Sequence, residues 1–166
     1  MKNLFLLLAV SFTFLISSCE GPQGPPGPPG DSLLGKVFEA NITFTNSNDF
    51  SQLVEFPNNV TVYESDVVLV YLLEDVVNGI DVWSQLPQTY FLEQGTLLYT
   101  FDHTFLDVNI FLDANFNLNS LGLEFTNDQI FRIAILPAEY ANSDLSMDEL
   151  LSNLQIETSD IEIYPN

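Results

Sequence analysis

Beyond residue 34, hydrophobic side chains recur with a period of two. Phe38, Ala40, Ile42 and Phe44 alternate with Glu39, Asn41 and Thr43. Leu97, Tyr99, Phe101, His103 and Phe105 share one parity, and Leu106, Val108, Ile110 and Leu112 share another. Successive side chains of a strand point to opposite faces, so this alternation predicts strands with one buried and one wet face. Residues 67–73 form a continuous apolar run, and 129–136 are similar apart from Arg132. Such runs predict central strands covered on both faces. A guanidinium inside one of them is expected to pair with a carboxylate, since an uncompensated buried charge is strongly destabilising. Shorter strands are expected near 53–56, 60–63, 80–86, 90–92 and 161–164. Pro57-Asn58-Asn59, Asn78-Gly79, Pro87 and Gln94-Gly95 punctuate them with residues that turns favour. About eight or nine such strands predict an all-β fold, an antiparallel β-sandwich of immunoglobulin-like or jelly-roll type.

The period changes once, near 146–154. Ser146 and Glu149 have the spacing of a capping box, Leu145 and Leu150 that of a hydrophobic staple, and Asp148 and Glu149 occupy the first turn, where the helix dipole favours negative charge. A short helix burying Leu150, Leu151 and Leu154 is expected to cover one end of the sandwich. Residues 34–166 contain no proline-rich or low-complexity break and have the length of one domain with a substantial core.

The N-terminal residues follow different rules. Lys2 precedes an apolar run over residues 4–16, broken only by Ser11 and Thr13. That run is shorter than the about 20 residues needed to span a bilayer and fits a secretory signal. Leu15-Ile16-Ser17-Ser18-Cys19 then resembles the lipobox of bacterial lipoproteins: an aliphatic residue, two small ones, and the cysteine that is acylated. The resemblance implies removal of residues 1–18 and two or three acyl chains, palmitate among them, on Cys19. Two chains anchor stably where one binds only marginally, at about 0.8 kcal/mol per buried methylene.

Glycine occupies positions 21, 24, 27 and 30, and five of the nine prolines lie between them. This three-residue period resembles the collagen-like tracts of some bacterial surface lipoproteins. Residues 19–33 are expected to form the lipidated N-terminus and a stalk. A polyproline II spacer at about 3.1 Å per residue would hold the following domain roughly 40 Å from the lipid. Asp31-Ser32-Leu33 resembles a short O-glycosylation motif, which makes Ser32 a candidate modification site in the exposed stalk.

Charge narrows the partners. The chain has 23 acidic and three basic residues, for a formal charge of −20. Loss of the signal leaves only Lys36 and Arg132 as basic residues. Nucleic acid and anionic lipid headgroups require basic patches and are not expected partners. Cys19 is the only cysteine, so disulfides cannot support the fold.

Candidate chemistry is sparse. Asp113, Asn115, Asn117 and Glu124 have the spacing of oxygen ligands in a calcium loop, although Leu118 stands where the sharp turn wants glycine. Calcium is therefore the one candidate cofactor. His103 is the sole histidine, beside Asp102 and near Asp107, and on its parity it reads as a hydrogen-bonded core or edge residue. No Gly-x-Ser-x-Gly elbow, glycine-rich phosphate loop or zinc ligand set is present. Trp83 and several tyrosines are candidates for stacking, Trp83 with the most exposed parity.

Together these features predict a non-catalytic, lipid-anchored lipoprotein of the cell envelope, and Glu20 after Cys19 is compatible with an outer-membrane address on either the periplasmic face or the cell surface. Its acidic domain would be displayed to a protein or glycan partner. A calcium-stabilised homotrimeric head and a glycan-acting hydrolase using a carboxylate pair are the alternatives.

Overall fold

The computed structural model describes residues 35–138 and 145–164. The expected signal segment, Cys19, the stalk and Ser32 lie outside the described residues. Within them, nine strands form two sheets. The first has the order β4 (Ile80–Gln85), β3 (Val67–Val77), β8 (Gln129–Leu136), β1 (Lys36–Ile42) and β9 (Glu162–Ile163). The second has the order β2 (Ser51–Glu55), β7 (Asp107–Ala114), β6 (Gly95–His103) and β5 (Gln88–Leu92). Every strand pair is antiparallel except β1 with β9, which is parallel. The chain is a β-sandwich.

The period-two residues line its interior. Phe38, Ala40, Val70, Phe131, Ile133, Leu97, Tyr99, Val108 and Ile110 are buried in one cluster between the sheets. Phe44 meets Phe131 and Tyr99 edge-on, with ring centroids 6.0 and 6.2 Å apart. Each fully buried side chain of this size contributes about 1.5–3 kcal/mol, which is how a chain without disulfides holds together.

The two continuous apolar runs become β3 and β8, which lie side by side within the five-stranded sheet. Their alternate residues Leu69, Tyr71, Ala134 and Leu136, with Val37 of β1, form a second buried cluster on the sheet's outer face. Helix α1 (Met147–Leu154) covers that cluster with Met147, Leu150, Leu151 and Leu154. The helix therefore covers a sheet face, not an end of the sandwich as its sequence position suggested. Strands that are apolar on both sides need a second cover, and α1 supplies it. Tyr71 fastens the approach to the helix by donating its hydroxyl to the Leu145 carbonyl at 2.8 Å. Burial is the main reason its phenol is pushed up to about 12.

The capping box forms as its spacing predicts. The Glu149 amide donates to Ser146 Oγ at 3.3 Å, and the Ser146 amide donates to Glu149 Oε2 at 3.0 Å. The Ser146 hydroxyl also donates to Glu149 Oε2, at 2.7 Å. These bonds hold the Glu149 carboxyl below the usual carboxylate range. A depressed folded-state pKa stabilises above the unfolded value, and that contribution is lost as pH falls through the folded value. Acidification is expected to lower amide protection factors at Leu150 and Leu151 of α1, an acid dependence reduced in Glu149→Ala. Protection that falls equally in both proteins would remove the cap as the cause.

Two other segments differ from expectation. Residues 60–63 are not a strand, because the Val60 amide turns back to the Pro57 carbonyl at 2.8 Å and the Tyr63 amide bonds Asp66 Oδ2 at 2.9 Å. Val60 and Val62 still pack on the core. The strand expected over 161–164 shortens to β9, whose parallel pairing breaks the purely antiparallel pattern. Among the described residues, no helix is long and apolar enough to cross a membrane.

Candidate functional site

The four expected calcium ligands lie along the chain leaving β7. Asp113 is exposed near the end of that strand. Asn115 Oδ1 accepts from the Thr96 amide at 2.8 Å. Asn117 Oδ1 accepts from the Asn119 amide at 3.0 Å and caps a 3-10 turn over Leu118–Ser120. Glu124 sits in a second 3-10 turn, Leu123–Phe125, with its carbonyl accepting from Gln129 Nε2 at 3.1 Å. The two asparagine oxygens therefore serve as acceptors for backbone N–H groups, Asn117 in the local manner habitual for Asn in turns and Asn115 for Thr96 of β6. Among the described residues, no group of three or more His, Cys, Asp and Glu side chains is placed to hold a metal ion.

His103 ends β6 exposed, with Nδ1 3.3 Å from the Thr104 carbonyl oxygen. Its expected acidic neighbour is engaged elsewhere: Asp107 Oδ1 accepts from the Thr104 hydroxyl at 2.7 Å. An open depression gathers His103 with Tyr63, Glu64, Asp66 and Phe105.

Arg132 pairs with carboxylates as its buried run predicts. Its Nε lies 3.3 Å from Glu39 Oε2 and its Nη2 3.7 Å from Asp81 Oδ2. The guanidinium also covers the Trp83 ring at 4.0 Å from the centroid. Trp83 is partly buried against the α1 cluster, and the cation already occupies one face of its ring. Tyr90 and Tyr99 are likewise used internally: Tyr90 donates to Glu74 Oε1 at 2.7 Å, and Tyr99 donates to the Phe125 carbonyl. Burial, above all, raises both phenols well beyond their ordinary pKa.

The surface that the sequence left unassigned is the outer face of the four-stranded sheet. The inward parity of that sheet belongs to Val54, Tyr90, Leu97, Tyr99, Val108, Ile110 and Leu112. The opposite parity carries Phe91, Leu98, Phe111 and Leu53. Phe91 stands opposite Thr96, two residues from Leu98 on β6. Phe111 stands opposite Thr100, again two residues from Leu98. Leu53 stands opposite Asn109, two residues from Phe111 on β7. Each step thus moves one strand across and two residues along, which draws an apolar diagonal over all four strands at about 7–8 Å per step.

Phe91 is 86% exposed and Leu53 50%, while Leu98 and Phe111 are partly buried. The same face carries the neutral groups of Ser51, Thr89, Thr96, Thr100 and Asn109, with Asp102 and Asp113 among the acids. Ser51 Oγ and Asn109 Oδ1 lie 2.6 Å apart. Sequence parity marks these residues as outward-facing, but only the register shows that they align. The chain matches no family model, no curated protein and no solved structure.

Proposed function

We propose that this protein is a non-catalytic cell-envelope lipoprotein that binds an uncharged glycan on the outer face of its four-stranded sheet. Acylated Cys19 would anchor it, in the outer membrane, and residues 19–33 would serve as its stalk. The diagonal of Phe91, Leu98, Phe111 and Leu53 carries the binding part of this reading. Sugar rings present C–H faces that stack on apolar side chains, and hydroxyls that exchange hydrogen bonds with Thr, Ser and Asn. A sheet face with both kinds of group, and a formal charge of −20 that repels anionic polymers, suits a neutral chain.

Two measurements test the parts separately. Cys19→Ala is expected to abolish incorporation of labelled fatty acid and to move the protein from the membrane fraction to the soluble one. Retention of the label would refute anchorage. For the binding face, a panel of uncharged soluble polysaccharides in native gels should retard the wild-type protein. Phe91→Ala is expected to weaken that retardation about tenfold, the equivalent of losing about 1.4 kcal/mol of stacking. Equal migration of both proteins through every polysaccharide would exclude the glycan. Crosslinks from residue 91 to an envelope protein would then identify the face as a protein contact.

A further inference from the structure

A second surface lies at the β4 edge of the other sheet. Residues 67–72 of β3 pair with β8, whereas the rest of β3 pairs only with β4. The β3–β4 hairpin therefore extends past the sheet as a two-stranded ribbon, closed by Asn78 and Gly79 at φ of 53° and 81°. That turn conformation needs left-handed residues at both positions, and Asn-Gly provides them. The ribbon exposes apolar side chains to water beside its acidic ones. Val77 pairs with Ile80 and Asp75 with Val82, so Val77, Ile80 and Val82 share one face, and all three are exposed, Ile80 to 70%. A two-stranded ribbon is marginal in water, and a third strand stabilises it.

We propose that β4 is an acceptor edge for an extended segment of a partner protein in which basic and apolar residues alternate. Among the described residues no strand lies beyond β4, and the edge meant here is its hairpin end, residues 80–83. Edges closed to such pairing usually carry lysine, proline or a bulge. β4 has neither lysine nor proline, and the irregularity in this hairpin falls between Leu73 and Asp75, on β3. An added strand would place its apolar side chains beside Ile80 and Val82 and its opposite parity beside Asp81.

Charge selects the occupant. Glu74, Asp75 and Asp81 surround the ribbon, and Arg132 is already shared between Glu39 and Asp81. A second copy of this chain would bring another formal charge of −20 and another Asp81 to the same edge. Like charges opposed across strands are destabilising, so a cationic strand fits where a second copy does not.

The test uses the full-length protein in nonionic detergent at about 0.15 M salt, where the Debye length of about 8 Å suppresses general attraction to an acidic surface. Three six-residue probes are compared: alternating lysine and valine, the same with glutamate for lysine, and the lysine version with its central valine replaced by proline. The lysine–valine peptide is expected to bind and to slow amide exchange at alternate residues of β4. The glutamate peptide should not bind, and the proline peptide should bind at least tenfold more weakly. Val82→Lys should weaken binding about tenfold, with Ile80→Lys as a second variant at the hairpin tip should the first lose stability. Equal binding of the lysine and proline peptides, protection away from β4, or β4 protection through self-association without peptide would each overturn the proposal.

Discussion

Replacing Phe131 with alanine is expected to lower the stability of the domain by about 3–5 kcal/mol, the usual cost of deleting a fully buried phenylalanine. Phe131 has no exposed surface and sits on β8, beside β3 and β1 within the five-stranded sheet. Its ring meets Phe44 edge-on and lies 6.4 Å from Tyr99 across the sandwich. Truncation would thus open a void where both sheets contribute walls, and β8 is held by hydrogen bonds on both sides and cannot move in to fill it. Since domains are stable by only about 5–15 kcal/mol in total, the loss should be plain in a urea titration. Phe91→Ala removes the same atoms from an exposed position and should change stability by no more than about 0.5 kcal/mol. Similar midpoints for the two variants would mean that the core is not organised around Phe131.

Glu39→Ala is expected to cost about 2–4 kcal/mol, more than Arg132→Met, although the two residues form one ion pair. The asymmetry follows from burial. The Arg132 side chain is 6% exposed, so removing Glu39 leaves a guanidinium inside the protein facing Asp81 at 3.7 Å and the Trp83 ring. Glu39 is 24% exposed and Asp81 more so, which allows both carboxylates to rehydrate when the arginine is gone. The double variant Glu39→Ala with Arg132→Met should therefore be no less stable than Glu39→Ala alone. Denaturant midpoints of the four proteins form a double-mutant cycle that measures this directly. Costs that simply add would show that the pair is not coupled.

The residues that carry these effects were legible to different degrees. Phe131 lies in a run apolar enough to read as a central strand, and Arg132 stood out within it as a charge in need of a partner. Which carboxylates answer it was not legible, because Glu39 and Asp81 come from strands far apart in sequence. The calcium spacing illustrates the converse. Asp113, Asn115, Asn117 and Glu124 have a suggestive separation along the chain, yet both asparagine oxygens accept backbone N–H groups, Asn117 as a turn cap and Asn115 from Thr96 on β6. Spacing alone cannot distinguish an oxygen offered to a cation from one offered to an amide.

Local chemistry in the sequence was enough to determine the β class, the buried parity of most strands, the Ser146–Glu149 cap and the turn at Asn78-Gly79. Each depends on interactions between residues close along the chain, or on a periodicity that any strand must obey. Tertiary structure alone decided where α1 docks, how the strands order into two sheets, and that Phe91, Leu98, Phe111 and Leu53 fall on one diagonal. Those outcomes depend on register between strands and on which apolar faces remain to be covered once the sheets have formed. Both are set by packing across the whole domain, so no single segment encodes them.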